Sequence, residues 1–201
     1  MDTTSVIASE AKQSRNNRDE AALEKARQQV YGVFETLGIP YKVYDHEPIF
    51  SAAERIEKQV NVDGLICKNL FLRNKEKSRY YLYTLPIDKR ADLVSLQKKL
   101  GESRLSFGDA DALWELLHIT PGSVSLLNII GAMEPLDCFG AVASRNDDTL
   151  KFLIDSETLC VPGIGLHPND NAATIVFAAD QLPKLLDHYK AEYDFIDTDK
   201  V

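Results

Sequence analysis

The sequence lacks the features that mark several large classes of protein. No apolar run reaches the ~18 residues that a membrane-spanning helix needs, and residues 1–20 lack the continuous apolar core of a secretory signal. Neither a P-loop nor a GxGxxG motif occurs, so nothing supports nucleotide hydrolysis or dinucleotide binding. These absences rule out a membrane protein, argue against a secreted one and favour a cytoplasmic location.

Cysteine and histidine are also scarce. The three cysteines, Cys67, Cys138 and Cys160, are widely spaced and odd in number, so they form no disulfide framework. No CxxC pair exists and the four histidines are scattered, so we expect no metal site and no cofactor. Each cysteine is expected to be a small core residue.

Charge is abundant but unevenly distributed. The net charge is -8, which makes the chain a poor generic binder of nucleic acid. Residues 68–104, however, contain ten basic and four acidic side chains, whereas residues 105–201 contain sixteen acidic and five basic ones. The basic stretch can therefore face an anionic ligand. Alternatively, it is the solvated surface of a hairpin and a helix.

A chain of 201 residues suits a single domain, which we place at residues 19–201 after a flexible leader at 1–18. The pattern predicts alternating helices and strands, and hence a mixed α/β fold with a mixed sheet. Strands are expected at 41–45, 64–72, 80–86, 104–107, 138–143, 150–154 and 174–178. Helices are expected from Asp19 to Gly38, after a capping box at Ser51, and after the capping residues Asp92, Asp109 and Asp180.

Lys68 is the most unusual residue in this pattern, because it interrupts an apolar strand. A buried ammonium is costly unless it finds anions or water. Either Lys68 lies on an edge strand and reaches solvent, or it is held in a pocket to bind a phosphate, a carboxylate or a developing oxyanion. Asn69, beside it, can both donate and accept hydrogen bonds. Cys67 is discounted as a partner, since adjacent strand residues point to opposite faces.

Two loops are further candidates. Residues 163–171 (GIGLHPNDN) combine glycines, which permit close backbone approach to a ligand, with His167 and the rigid Pro168. Residues 122–125 (GSVS) could present backbone amides to an oxyanion or a sugar hydroxyl. Each loop alone is equally compatible with an ordinary turn.

Four motifs in order carry a family resemblance: CKNLFL at 67–72, RLSFG at 104–108, TPGSVS at 120–125 and LHPNDNAAT at 166–174. Together they resemble the YbaK/prolyl-tRNA synthetase-associated editing family, and most of all its freestanding alanyl-tRNA(Pro) deacylases. The resemblance implies a single α/β domain with a curved mixed sheet flanked by helices. It also implies metal-free hydrolysis of a wrong amino acid from a tRNA 3′ end, with aminoacyl-tRNA, most plausibly of tRNA(Pro), as partner and transient contact with prolyl-tRNA synthetase.

The resemblance also assigns site residues. Lys68 matches the family's essential lysine and Asn69 its neighbouring asparagine. His167, Pro168 and Asn171 match the pocket loop, while Phe50 and Ser51 fall where the family lines the amino-acid side-chain pocket. Gly122, Ser123, Val124 and Ser125 belong to the family's GxxxP loop, in which Leu126 replaces the proline.

On this basis we expect Lys68 to hold a phosphate or the ester end of the terminal adenosine, while the 122–125 backbone polarises the ester carbonyl. Water attacks, placed by the pocket and by the substrate's own ribose hydroxyl. Alanine, serine, cysteine and threonine are all small enough, so the amino acid removed stays open. A non-catalytic binding module for aminoacyl-tRNA and a metabolic enzyme without RNA are the alternative interpretations.

Overall fold

The computed structural model describes residues 24–49, 52–58, 60–117, 119, 124–133 and 149–198. A first helix, α1, covers residues 24–37. It is followed by β1 (Tyr41–Asp45), α2 (Ala52–Glu57), β2 (Leu65–Asn74), β3 (Tyr80–Pro86), α3 (Leu93–Leu100), β4 (Leu105–Phe107), α4 (Ala110–Leu117), α5 (Asn128–Met133), β5 (Leu150–Asp155), β6 (Gly163–Leu166), β7 (Ala173–Ala178), α6 (Leu182–His188) and β8 (Tyr193–Ile196).

Eight strands of the described part form one sheet in the order β1-β7-β6-β2-β3-β5-β8, with β4 pairing the far end of β2. The β1–β7, β6–β7, β2–β3 and β2–β4 pairs are antiparallel. The β2–β6, β3–β5 and β5–β8 pairs are parallel. The prediction of a mixed α/β fold with a mixed sheet is therefore confirmed.

Alternation along the strands separates two cores on the two faces of the sheet. Cys67 and Phe71 of β2 join the larger core with residues of α1, α4 and α6. Leu72 of β2 joins the smaller core, which includes Leu96 of α3. Lys68 alternates with Cys67 and therefore lies on the face of the smaller core.

Two of the predicted caps form as expected. Asp92 Oδ1 accepts hydrogen bonds from the amides of Val94 and Ser95 at 3.0 Å, and Gly101 ends α3 with a φ of 68°. Asp109 Oδ1 accepts from the amide of Ala112 at 3.0 Å at the start of α4. These side chains satisfy amides that the first turn of a helix leaves unpaired.

The Asp180 cap is wrong. Its carboxylate accepts from Gln181 Nε2 instead, and α6 begins at Leu182 after a 3₁₀ turn over Ala179–Gln181. Pro183 lies in the first turn of α6, where its missing amide costs nothing.

Two strands were missed by the sequence patterns. The segment read as a glycine-rich loop begins with β6, whose Gly165 is packed so closely that a Cβ would lie 2.8 Å from Ile66 Cδ1 and 3.1 Å from Thr174 Cγ2. That glycine therefore serves strand packing. The acidic tail contains β8, which pairs with β5 and buries Ile196. The predicted leader, the Ser51 cap and the 138–143 strand lie outside the described residues.

The two described cysteines differ in their exposure to solvent. Cys67 is buried, and burial raises the pKa of its thiol to about 12, so it is an unreactive core residue as expected. Cys160 is exposed, which contradicts its predicted core position, because it follows a 3₁₀ turn at the surface. Cys138 lies outside the described residues. None of the described helices has the length and apolarity to cross a membrane.

Candidate active site

The candidate site lies where two parallel strands separate. Strands β2 and β6 pair at only two positions, Leu65 with Ile164 and Ile66 with Gly165. Beyond these pairs β6 ends, whereas β2 continues along β3. Lys68 and His167 each stand two residues past the last pair, so they border the opening. We call this opening the β2–β6 gap; such openings at the carboxyl ends of parallel strands are common ligand sites.

The segment that includes Ser125 and Leu126 spans this gap and is hydrogen-bonded to both borders. On the β2 side, Asn69 Oδ1 accepts from the Leu126 amide at 3.1 Å and from Thr84 Oγ1 at 2.7 Å. On the β6 side, Ser125 Oγ donates to the carbonyl of His167 at 2.7 Å. Asn69 therefore fixes the position of this segment relative to β2.

The contact with Asn69 gives a physical reason for Leu126, where the resembling family has proline. Proline has no amide hydrogen, so it could not donate to Asn69 Oδ1. The Leu126 side chain is also fully buried in the larger core. A proline would stiffen the backbone at this position. Here the hydrogen bond to Asn69 and the packing of the Leu126 side chain in the larger core hold the backbone in place.

Lys68 lies at the border of the gap with a neutral partner. Its Nζ donates to the carbonyl oxygen of Ile87, the residue that follows β3, at 2.9 Å. Burial lowers the pKa of this ammonium, against the opposing effect of Asp88. Because an ammonium has three donors and this carbonyl takes one, Lys68 keeps donors for a ligand.

His167 is held as a neutral imidazole. Its Nδ1 is 3.3 Å from the carbonyl oxygen of Ala173, which can only accept, so Nδ1 carries the proton and Nε2 the lone pair. Burial is the main cause that lowers the pKa of His167 to about 4. The loop that follows is anchored by Asp170, which accepts from Arg27 Nε of α1 at 2.9 Å.

Two further residues, His46 and Arg55, lie beside His167. The ring centroids of His46 and His167 are 6.5 Å apart. His46 Nδ1 contacts the carbonyl of Glu47 at 2.8 Å, so its Nε2 is an acceptor and receives Thr174 Oγ1 at 3.0 Å and Arg55 Nη1 at 3.3 Å. Sequence reasoning noted His46 only as one scattered histidine and did not single out Arg55. An arginine in a short polar helix carries no signal of burial, and only the fold reveals it.

The other predicted site residues are distributed as follows. Val124 is half-buried against the larger core, and Pro168 is buried. The carbonyl of Asn171 accepts from the amide of Ile49 at 2.9 Å, which ties the 167–171 loop to the start of the chain segment that leads to α2. The Ser125 amide donates to Asn128 Oδ1 at 2.6 Å and is therefore occupied. Phe50, Ser51, Gly122 and Ser123 lie outside the described residues.

Part of the basic stretch is an ion-paired surface near the hairpin. Lys77 pairs with Asp109 at 3.1 Å, and Arg79 pairs with Glu192 at 3.0 Å. Lys89 binds the fully buried Asp155 at 3.1 Å and also pairs with Glu157. Besides Lys77, the exposed basic side chains of this stretch are Lys75, Arg90, Lys98, Lys99 and Arg104. In the described ranges, no group of three or more histidine, cysteine, aspartate or glutamate residues could hold a metal ion.

The chain is similar to known proteins in its sequence. The aminoacyl-tRNA editing domain family matches residues 46–185, which include both borders of the gap. The prolyl-tRNA editing protein ProX of Acetoanaerobium sticklandii is 30% identical over 163 residues, covering 80% of this chain and 90% of that protein. The mouse prolyl-tRNA synthetase associated domain-containing protein 1 is 32% identical over 143 residues, covering 69% of this chain and 76% of that protein.

Solved structures support the fold. A crystal structure described as a candidate trans-editing enzyme for prolyl tRNA synthetase superposes with a TM-score of 0.58 at 20% identity, covering 86% of this chain and 96% of that one. At 20% identity this similarity shows the fold alone. The family match and the ProX relative show that the sequence is similar as well. The chain therefore belongs to the aminoacyl-tRNA editing domain family, and the predicted enzyme class, an aminoacyl-tRNA deacylase, is confirmed.

Proposed function

We propose that this protein hydrolyses mischarged tRNA in trans, that its substrate is Ala-tRNA(Pro), and that it acts in the cytoplasm. The family membership and the ProX relative support the coarser part of this proposal, the editing of mischarged tRNA. The finer part, the choice of alanine and of tRNA(Pro), comes from the motif resemblance at Lys68, Asn69 and His167.

The single observation that carries the proposal is the position of Lys68 at the β2–β6 gap. The ammonium is partly desolvated and hydrogen-bonded to the Ile87 carbonyl, with no carboxylate of the described residues paired to it. A cation so placed binds an anionic group more strongly than a solvated surface lysine does, because fewer waters compete for it and no carboxylate of the described residues forms an ion pair with it.

Lys68 is the proposed catalytic residue. It donates to a phosphate oxygen or to the ester end of the terminal adenosine, and so orients the scissile bond in the gap. As water attacks, negative charge develops on the carbonyl oxygen, and a fixed ammonium nearby stabilises that charge. The ribose hydroxyl next to the ester takes a proton from the attacking water while it gives its own proton to the leaving ribose oxygen. The ester C–O bond then breaks, which releases the amino acid and restores the terminal hydroxyl of the tRNA.

His167 and Asn69 act differently from Lys68. The neutral imidazole of His167 presents the Nε2 lone pair, which accepts from the ammonium of the substrate's amino acid or from a hydroxyl. Asn69 positions the Ser125–Leu126 segment through the Leu126 amide. Because the Ser125 amide is occupied by Asn128, we assign Ser125 to holding that segment, and not to polarising the ester.

Selectivity follows from size. A small cavity that admits alanine and excludes proline removes the wrong amino acid and spares the cognate one, which binding alone achieves poorly for small apolar side chains. We expect the basic hairpin and helix from Arg73 to Lys99, with Arg90 and Lys98 exposed, to contact acceptor-stem phosphates.

The deciding experiment is a panel of tRNAs charged with alanine, serine, cysteine, threonine or proline, with release of each amino acid followed over time. Alanine on tRNA(Pro) is expected to be released fastest and proline not at all. Faster release of another small amino acid would show that the enzyme prefers that amino acid and would contradict the choice of alanine. Protection of every ester would mean that the protein is a binding module and would contradict the proposal.

A salt series on the same reaction tests the RNA contact. The apparent affinity for Ala-tRNA(Pro) is expected to fall steeply between about 50 and 200 mM salt, since phosphate contacts release counterions. Salt-independent turnover of a small alanyl ester together with equal turnover of the tRNA would favour a metabolic enzyme that does not recognise RNA.

A further inference from the structure

Arg55 on α2 is a buried guanidinium with a vacant hydrogen-bonding edge. It is 5% exposed, and burial lowers its pKa. Its Nη1 contacts His46 Nε2 at 3.3 Å, but Nε and Nη2 are both buried and have no hydrogen-bond partner among the described residues. Buried polar atoms without partners are rare and costly, so each needs an explanation.

The two vacant atoms form one edge of the guanidinium, which is the edge that binds two oxygens side by side. The chain itself supplies a comparison, because Arg27 directs the same pair of atoms, Nε and Nη2, at one oxygen, Oδ2, of the Asp170 carboxylate. An edge of this kind can also bind two oxygens of a carboxylate or a phosphate through two parallel hydrogen bonds. Arg27 has its anion within the fold, whereas Arg55 has none in the described part of the chain.

The side chains next to Arg55 carry no negative charge that compensates its guanidinium in the described part of the chain. His46 presents its only lone pair to Nη1 and to Thr174 Oγ1, so it is fully used. His167, which lies next to His46, gains no proton at neutral pH, and Arg55 is one of the causes. Arginine keeps its charge even when it is buried. A positive charge thus stays uncompensated behind the two imidazoles, on the face of the sheet that borders the β2–β6 gap.

We propose that the Nε/Nη2 edge of Arg55 is a binding site for a small oxyanion, a carboxylate or a phosphoryl group, beside His46 and His167. The anion accepts two parallel hydrogen bonds from the guanidinium and neutralises its charge. At this buried position solvent screens the attraction little. Two sources of such a group exist if the proposed function holds: the carboxylate of the released amino acid and a phosphate of the tRNA end.

The anion site itself does not depend on the proposed function; only the choice between these two sources rests on it. For that reason binding is tested without tRNA. Thermal unfolding of the wild type is measured at pH 7 and equal ionic strength in sodium chloride, sodium acetate, L-alanine with sodium chloride, sodium phosphate and AMP. At least one oxyanion is expected to raise Tm above the chloride value, in proportion to its occupancy of the folded state.

Arg55→Met is the test variant, and Lys42→Met, which removes an exposed lysine of β1, is the control for loss of one positive charge. Arg55→Met is expected to lose the oxyanion-dependent Tm shift and to weaken binding at least tenfold by calorimetric titration. Lys42→Met keeps both. An equal shift in Arg55→Met and wild type, or no shift of the wild type beyond the chloride value, overturns the proposal.

Arg55→Lys covers the case in which the methionine variant folds poorly. It keeps the positive charge but lacks the two-donor edge, so it is expected to retain a smaller shift than the wild type. A full shift in Arg55→Lys would mean that charge alone, and not the bidentate edge, binds the anion, and would overturn the assignment. Stabilisation by acetate and alanine identifies the carboxylate source, whereas stabilisation by phosphate and AMP identifies the phosphoryl source.

Discussion

The cations of this protein fall into two regions with opposite partners. Away from the gap, basic side chains meet carboxylates: Lys89 binds Asp155 and Glu157, and Lys151 binds Glu192 and Asp194. At the gap, the ammonium of Lys68 meets a backbone carbonyl, and Arg55 meets an imidazole. The first arrangement stabilises a fold, while the second leaves positive charge available to a ligand.

This contrast explains how an acidic chain can serve an anionic substrate. The net charge of -8 repels phosphates over much of the surface. Ion pairs near the hairpin neutralise three of the ten basic side chains of residues 68–104, namely Lys77, Arg79 and Lys89. In the proposed function, Lys68 and Arg55, which have no ion pair among the described residues, attract the anionic end of the substrate.

The largest effect is expected for Lys68→Ala. Removing a charged donor that acts on the developing oxyanion typically slows the chemical step by about 10²–10³-fold. The free energy of unfolding should change little, because the Ile87 carbonyl is the only hydrogen-bond partner that Lys68 has among the described residues. Single-turnover deacylation and urea unfolding measure the two effects. Lys184→Ala, an exposed lysine of α6, serves as control and keeps the wild-type rate.

The opposite pattern is expected for Lys89→Ala. Asp155 is fully buried and keeps its hydrogen bond from Tyr83 but loses its cation, so the loss of stability is about 3 kcal/mol. Urea unfolding measures this loss. At a temperature where the variant is folded, its deacylation rate should stay within a few-fold of the wild type. A large rate loss in the folded variant would contradict the assignment of Lys89 to stability and not to catalysis.

The third prediction concerns pH. The pKa of His167 falls from 6.5 to about 4 on folding, so between these values the unfolded chain binds a proton that the folded one does not. Stability should therefore decrease as pH falls from about 6.5 to about 4, by at most ~1.4 kcal/mol per pH unit from this group. Unfolding of wild type and His167→Gln over this range measures it; parallel curves would contradict the assignment.

The smallest effect concerns the segment that spans the gap. Asn69→Ala and Leu126→Pro both remove the hydrogen bond between Asn69 Oδ1 and the Leu126 amide. Their losses of stability should therefore be non-additive by about 1 kcal/mol in a double-mutant cycle. Additive losses would show that this hydrogen bond does not hold the segment to β2.

Much of the architecture could be predicted from the sequence, because its signals are local. Asp92 and Asp109 cap their helices through side-chain oxygens that lie within three residues of the amides they bind. Strand β6 could not be predicted, since glycines weaken strand patterns and its Gly165 is fixed by Ile66 and Thr174, residues distant in the chain. Asp180 resembles Asp92 and Asp109 as a predicted helix cap, but in the structure it lies within a 3₁₀ turn that precedes α6.

The candidate site also contains residues that the sequence indicates and residues that only the fold reveals. Lys68 stands out in the sequence because it interrupts an apolar strand, and the HP pair at His167 belongs to a recognisable motif. The environment of Arg55 depends on His46 and Thr174, and Thr174 is more than a hundred residues away in the chain. Its burial arises only when β1 and β7 pair, so no local pattern indicates it.

The most direct test of the central claim is to observe the Lys68 ammonium while a substrate binds. A tRNA(Pro) minihelix with alanine joined to its 3′ end through an amide resists hydrolysis, and NMR of ¹⁵N-labelled lysine reports the pKa of each ammonium. The account predicts that binding raises the pKa of Lys68, which an anion then contacts, and leaves Lys89 unchanged. A bound minihelix with Lys68 unaffected would contradict it.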